Sequence, residues 1–107
     1  MNTIVRDNPT EHRYEIIVDG QVAGASSYEL DPDRIVFTHT VVDDAHAGQG
    51  LGRQLVAGLL ADVEQRGLAV VPLCPYVRKV IAEDTSRYRH LVPEHLWKSF
   101  GLARHDA

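Results

Sequence analysis

The sequence predicts an α/β (α+β) fold, an antiparallel strand meander followed by β-α-β-α around a mixed sheet. Three observations carry this reading. β-Branched and aromatic runs separated by short polar turns occupy residues 14–42, the pattern of consecutive strands. The glycine-rich turn Ala47-Gly48-Gln49-Gly50-Leu51-Gly52 then leads into apolar positions Leu51, Leu55, Val56, Leu59, Leu60 and Val63, which line one face of a helix. A further apolar run from Leu68 to Leu73 is strand-like. The helix is therefore a crossover, and the strands it joins should run parallel.

Each element has its own local signal. Thr3 to Arg6 is compatible with a short first strand. Tyr14–Val18 and Gln21–Tyr28 flank Asp19-Gly20, a two-residue hairpin turn. Asp31-Pro32-Asp33 is a second turn and opens the strand Arg34–Val42. The helix from Leu51 to about Arg66 is closed by Gly67. The unbroken apolar run after it is what a strand covered on both faces would show. Pro75 stands at the favoured first position of a short helix reaching about Asp84. Thr85–Leu91 reads as an irregular turn or a further short helix, and the tail from Pro93 as a last helical turn packing back through Leu96, Trp97 and Phe100.

With 107 residues the chain has the size of one domain, residues 1–107. It has no apolar run long enough to span a bilayer and no signal-peptide core, so a cytoplasmic, non-membrane protein is expected. Net charge is −4 with both signs interspersed, which argues against nucleic acid as a partner. Arg78, Lys79, Arg87, Arg89 and His90 form a local basic cluster. It reads either as a solvated surface or as contacts to a phosphorylated cofactor or an acidic partner. The single cysteine and the scattered histidines lack metal-ligand spacing, so no metal is expected.

The chemistry concentrates at three places. A glycine turn feeding a helix start leaves amide N–H groups unpaired beside the positive end of the helix dipole, which suits a phosphate or pyrophosphate. The turn lacks the Gly-Lys-Ser/Thr ending of a P-loop, and Arg53 stands where a dinucleotide fingerprint needs glycine. Cys74 directly precedes Pro75, at or beside the start of a helix, where the dipole favours the attacking thiolate; the alternative is a small buried residue at a strand end. Two-residue alternation puts His39 on a face with Ile35, Phe37 and Val41, as a core histidine bonded to backbone or as a general base. Were His39 and Cys74 close on adjacent parallel strands, they would form an activated nucleophile.

These residues resemble the GNAT superfamily of acyl-CoA-dependent N-acyltransferases. Its hallmark, [RQ]xxGx[GA], is similar to Ala47–Gly52, with both glycines at Gly50 and Gly52 and Ala47 where Arg or Gln is usual. That departure weakens one phosphate contact and leaves the amide cradle. The closer resemblance is to the small single-domain members that lack the usual N-terminal helices, through Thr38-His39-Thr40 and the stretch Val70 to Lys79 containing Cys74-Pro75-Tyr76. It covers roughly Tyr14 to Val92 and implies a truncated GNAT-like fold.

The resemblance implies an acetyl-CoA-dependent N-acetyltransferase, with acetyl-CoA as co-substrate and a small-molecule or protein amine as acceptor. Cys74 and His39 would be catalytic. The pantetheine arm would pair near Val41 and Val42, and the pyrophosphate would meet Gln49, Gly50, Leu51 and Gly52, with Arg53 nearby. Two mechanisms stay open: acetyl transfer through Cys74, or direct attack by an amine that His39 deprotonates, with Cys74 shaping the site. Tyr76 and Tyr88 are candidate general acids whose expected work is packing. A coenzyme A-binding module without turnover is the alternative function, and an interaction domain docking through Leu96, Trp97 and Phe100 a third. Acceptor identity, acyl-chain preference and oligomeric state are open.

Overall fold

The computed structural model describes residues 2–43 and 48–103. Five strands form one sheet in the order β1-β2-β3-β4-β5. They are β1 (Thr3–Asn8), β2 (Arg13–Val18), β3 (Gln21–Leu30), β4 (Arg34–Val42) and β5 (Ala69–Pro72). β1 to β4 pair antiparallel, and β5 joins β4 in parallel. The crossover is α1 (Leu51–Gln65); α2 (Pro75–Glu83) and α3 (Thr85–Tyr88) follow, then single 3-10 turns at Arg89–Leu91 and Glu94–Leu96. The predicted α+β architecture and strand directions are observed, and the short first strand is a full β1.

Local chemistry explains the boundaries. Asp19 and Gly20 both take positive φ, 49° and 85°, the two left-handed positions of a hairpin turn whose twist matches the strands. At the end of α1, Gly67 adopts φ 72°. Its amide donates to the Glu64 carbonyl and that of Leu68 to Val63, the paired bonds of a Schellman stop.

Burial separates the two faces of the sheet. Tyr14, Ile16, Ile35, Phe37 and Val70 meet Leu55, Val56, Leu59, Leu60 and Val63 of α1 and Val77 and Ile81 of α2 in one core. Side chains this size contribute about 1.5–3 kcal/mol each when fully buried. Gly58 lets α1 close on β1, because a Cβ there would lie 2.8 Å from Cβ of Val5. The other face carries exposed Ile4, Val22 and Val41. Here the sequence reading of β5 is corrected: it is an edge strand with Val70 buried and Val71 only half-buried, not a strand covered on both faces. Its apolar run reflects core contact on one side and the sheet edge on the other.

The tail turns back as expected. Leu102 is buried, and Leu96, Trp97 and Phe100 are half-buried against the core. Three members of the basic cluster stack on aromatic rings: Arg78 lies over Phe100, Arg87 over Tyr88 and Arg89 over Trp97. His90 bonds Glu64 at 2.7 Å.

Candidate functional site

The site forms where β4 and β5 part. Their pairing ends at Phe37↔Pro72, and the Cys74 amide makes a last bond, 2.8 Å, to the Phe37 carbonyl. β4 continues to Val42, so its last residues have no strand partner on that edge among the described residues. The Asp43 amide donates to Ala23 on β3. Alternation therefore turns the backbone groups of Val42 and Thr40 outward, to the open edge, and Val41 back to β3.

A bulge decides which side chains enter this gap. Ser27 pairs with His39 and Tyr28 with Phe37, leaving Thr38 as an extra residue in β4. An extra residue reverses the in-out pattern beyond it. Ile35 and Phe37 are buried, yet His39 and Val41 are exposed and Thr40 turns inward. The expectation that His39 shares a face with Ile35 and Phe37 is thus overturned. His39 lies on the open face, its Nδ1 3.5 Å from the Thr38 hydroxyl.

Cys74 lies on the helix side. It is the N-cap of α2, in extended conformation with no side-chain cap bond, and its side chain is buried. Its sulfur lies 3.2 Å from Oγ1 of Thr40, which lies 2.9 Å from the buried Ser26 hydroxyl. The side-chain contact at the Cys74 sulfur is thus a Ser26-Thr40-Cys74 chain, with His39 on the opposite face of β4. Thr40 was missed because only the bulge turns it inward; its place beside His39 in Thr38-His39-Thr40 was the available signal.

The glycine turn caps the same end of the fold. Gly50 is the N-cap of α1 at φ 72°, with no side-chain cap bond. The first intrahelical bond runs from Gln54 to the Gly50 carbonyl, so the amides of Leu51, Gly52 and Arg53 lack helical acceptors. A Cβ at Gly52 would lie 2.8 Å from the Tyr76 hydroxyl and 3.0 Å from Cζ; glycine there lets the α2 ring rest on the first turn of α1. Tyr76 packs as expected, and Tyr88 is buried. Arg53 bonds Glu83 on α2, so its guanidinium is already engaged. Gln49 is exposed, and Ala47 lies outside the described residues.

This open strand edge and uncapped helix start suit an extended ligand with amide groups in its arm and a pyrophosphate at one end, as acyl-CoA has. No group of His, Cys, Asp or Glu among the described residues could hold a metal ion. No helix among them is long and apolar enough to cross a membrane.

Such an arrangement defines an acyltransferase architecture, and the comparisons agree. Residues 13–91 match the model of the GCN5-related N-acetyl-transferase family, to which the chain belongs. Its structure is similar to the ribosomal-protein-S18-alanine N-acetyltransferase from Escherichia coli, with TM-score 0.51 and 27% identity over 54% of this chain and 38% of that one. The chain thus spans well under half of that relative's length. No curated protein matches it.

Proposed function

We propose that the chain transfers the acetyl group of acetyl-CoA to an amine by direct attack, in the cytoplasm. The observation that carries this reading is the bulge at Thr38, which puts His39 and Cys74 on opposite faces of the sheet at the gap between β4 and β5. The outward backbone groups of Thr40 and Val42, with Val41 between them, would hold the pantetheine arm. The amides of Gln49, Gly50, Leu51 and Gly52 would hold the pyrophosphate; Arg53, paired with Glu83, would border it. When bound, acetyl-CoA supplies an activated thioester.

The residues of the chain then divide the work. His39, reached from the open face, takes the proton that the amine loses as its nitrogen bonds to carbon. Cys74, held by Thr40, lines the helix side where the carbon–sulfur bond breaks and the sulfur leaves as a thiolate that takes its proton from solvent. Support for direct attack over a Cys74 relay comes from the surroundings of the buried thiol: among the described residues its side-chain partner is the Thr40 hydroxyl, not a basic group.

Intact mass after brief incubation with acetyl-CoA, on wild type and Cys74→Ser, tests this together with an amine panel. The expected result is acetylated amine without a protein adduct, strongly reduced in His39→Ala with acetyl-CoA affinity kept. An adduct on wild type alone, competent to pass its acetyl group to an amine, would establish the cysteine route. Tight acetyl-CoA binding with no product on any amine would establish a binding module.

A further inference from the structure

The uncovered sheet face carries an organised pair of guanidinium groups that the reading above does not use. Glu15 sits in the middle of β2 on that face and is 1% exposed. One of its oxygens accepts from Nε and Nη2 of Arg6 at 3.3 and 3.2 Å; the other accepts from Arg13 Nε at 2.8 Å and Asn8 Nδ2 at 3.1 Å. Nη2 of Arg13 also lies 2.8 Å from it. Glu15 thus takes the Nε–Nη2 edge of both forks. The remaining Nη1–Nη2 edge of each is the one a carboxylate engages end-on, by two parallel bonds.

Charge and exposure are unequal in this cluster. Two guanidiniums face one carboxylate, and their side chains are 57% and 38% exposed against 2% for Glu15. These three groups by themselves carry one net positive charge. A concavity of about 230 Å3 lies beside it, with Arg13 on its wall, Val22, Ala25 and Val41 among its lining, and Asp43 also lining it. The register runs Arg13↔Ser27↔His39 straight across the sheet. At ~4.8 Å per strand, Arg13 and His39 are about 10 Å apart at the backbone.

We propose that this face receives the acceptor and that Arg13, fixed by Glu15, binds a carboxylate of that acceptor several bonds from its reacting amine. The proposal rests on the acetyltransferase reading with His39 at the amine. The substrate class it names is an amine bearing an anionic group, such as an ω-amino acid. Arg13 is a binding residue in this scheme and Glu15 a positioning residue that pins its fork.

The test compares 5-aminopentanoate and 6-aminohexanoate with n-pentylamine and n-hexylamine. Acetylation rates are measured, and so are backbone amide shifts of Ala25, Ser27 and Val41 during titration without acetyl-CoA. Wild type should favour the carboxylate-bearing amines about ten-fold or more in kcat/KM, the span of one charge-assisted contact. Arg13→Gln should erase that preference through KM, with acetyl-CoA affinity unchanged. Arg13→Lys, which keeps a charge for Glu15 if Arg13→Gln folds poorly, should retain only part of it.

Transfer to all four amines without carboxylate preference, and without open-face shifts, would overturn the proposal and leave the enzyme reading intact. Saturable, Arg13-dependent shifts with no transfer would uphold the anion site while the enzyme reading fails. Neither shifts nor transfer would remove both.

Discussion

Thr40 Oγ1 lies 3.2 Å from Cys74 Sγ, bridging the inner face of β4 to the start of α2, and the buried Ser26 hydroxyl backs it at 2.9 Å. Among the described residues, the lone cysteine is thus oriented by a hydroxyl chain. Thr40→Val should lower acetyl transfer, and Thr40→Ser should restore most of it. The valine variant also orphans Ser26, at a cost of about 1–3 kcal/mol. Chemical denaturation alongside the rate assay separates the two effects, since a purely structural role would lower stability and leave the rate of the folded protein unchanged.

Gly52 meets Tyr76 where the two helices start. A methyl group there must displace the ring, because both the hydroxyl and Cζ lie within 3.0 Å of the added Cβ. Gly52→Ala should cost about 1–3 kcal/mol and weaken acetyl-CoA binding by shifting the first turn of α1. Adding Tyr76→Leu should recover stability, read as positive coupling in a double-mutant cycle by thermal melts.

Gly58 poses the same question inside α1. Alanine would gain about 1 kcal/mol in helix propensity, but its Cβ would lie 2.8 Å from both Cβ and Cγ2 of Val5. Overpacking should win, making Gly58→Ala less stable than wild type. In a Val5→Gly background, which removes every atom of the clash, the same change should cost less than it does in wild type, measured by urea unfolding.

Glu15 sets the acid limb of stability. Burial alone would push its carboxyl up, yet hydrogen bonds from Arg13, Asn8 and Arg6 outweigh burial and hold it below its usual value near 4.5. A carboxyl lowered on folding adds stability that is present above its unfolded value and lost as pH falls through the folded one. Wild type should therefore lose stability below about pH 4.5, and Glu15→Gln should show a flatter acid limb from a lower plateau at neutral pH. Urea midpoints from pH 2 to 7 read both.

Tyr14 and Tyr28 set the opposite limb. Burial, followed by hydrogen bonds to Asp62 and Asp7 respectively, raises both phenols above their usual value near 10. A raised group gives stability that is complete below the unfolded value and is lost as pH climbs toward the folded one. Stability should fall above about pH 10, and Tyr28→Phe should blunt that fall, followed by far-ultraviolet circular dichroism.

The sequence by itself determined the elements and their order. The paired left-handed turn at Asp19-Gly20, the Gly67 stop and the i, i+4 stripe from Leu51 to Val63 are local signals, readable because backbone sterics and helical period act within a few residues. It also placed Cys74 at a helix start and Gly50 at the head of α1. Only the tertiary structure decided which side chains share the gap between β4 and β5. The extra residue at Thr38 depends on how β4 pairs with β3, a long-range relationship that no local pattern encodes, and it reverses every side chain after it. That reversal moved His39 to the open face and brought Thr40 to Cys74. The exposure of Arg6 and Arg13 around a buried Glu15 has the same origin: alternation put them on one face, but only the gathering of the helices on the other left that face uncovered.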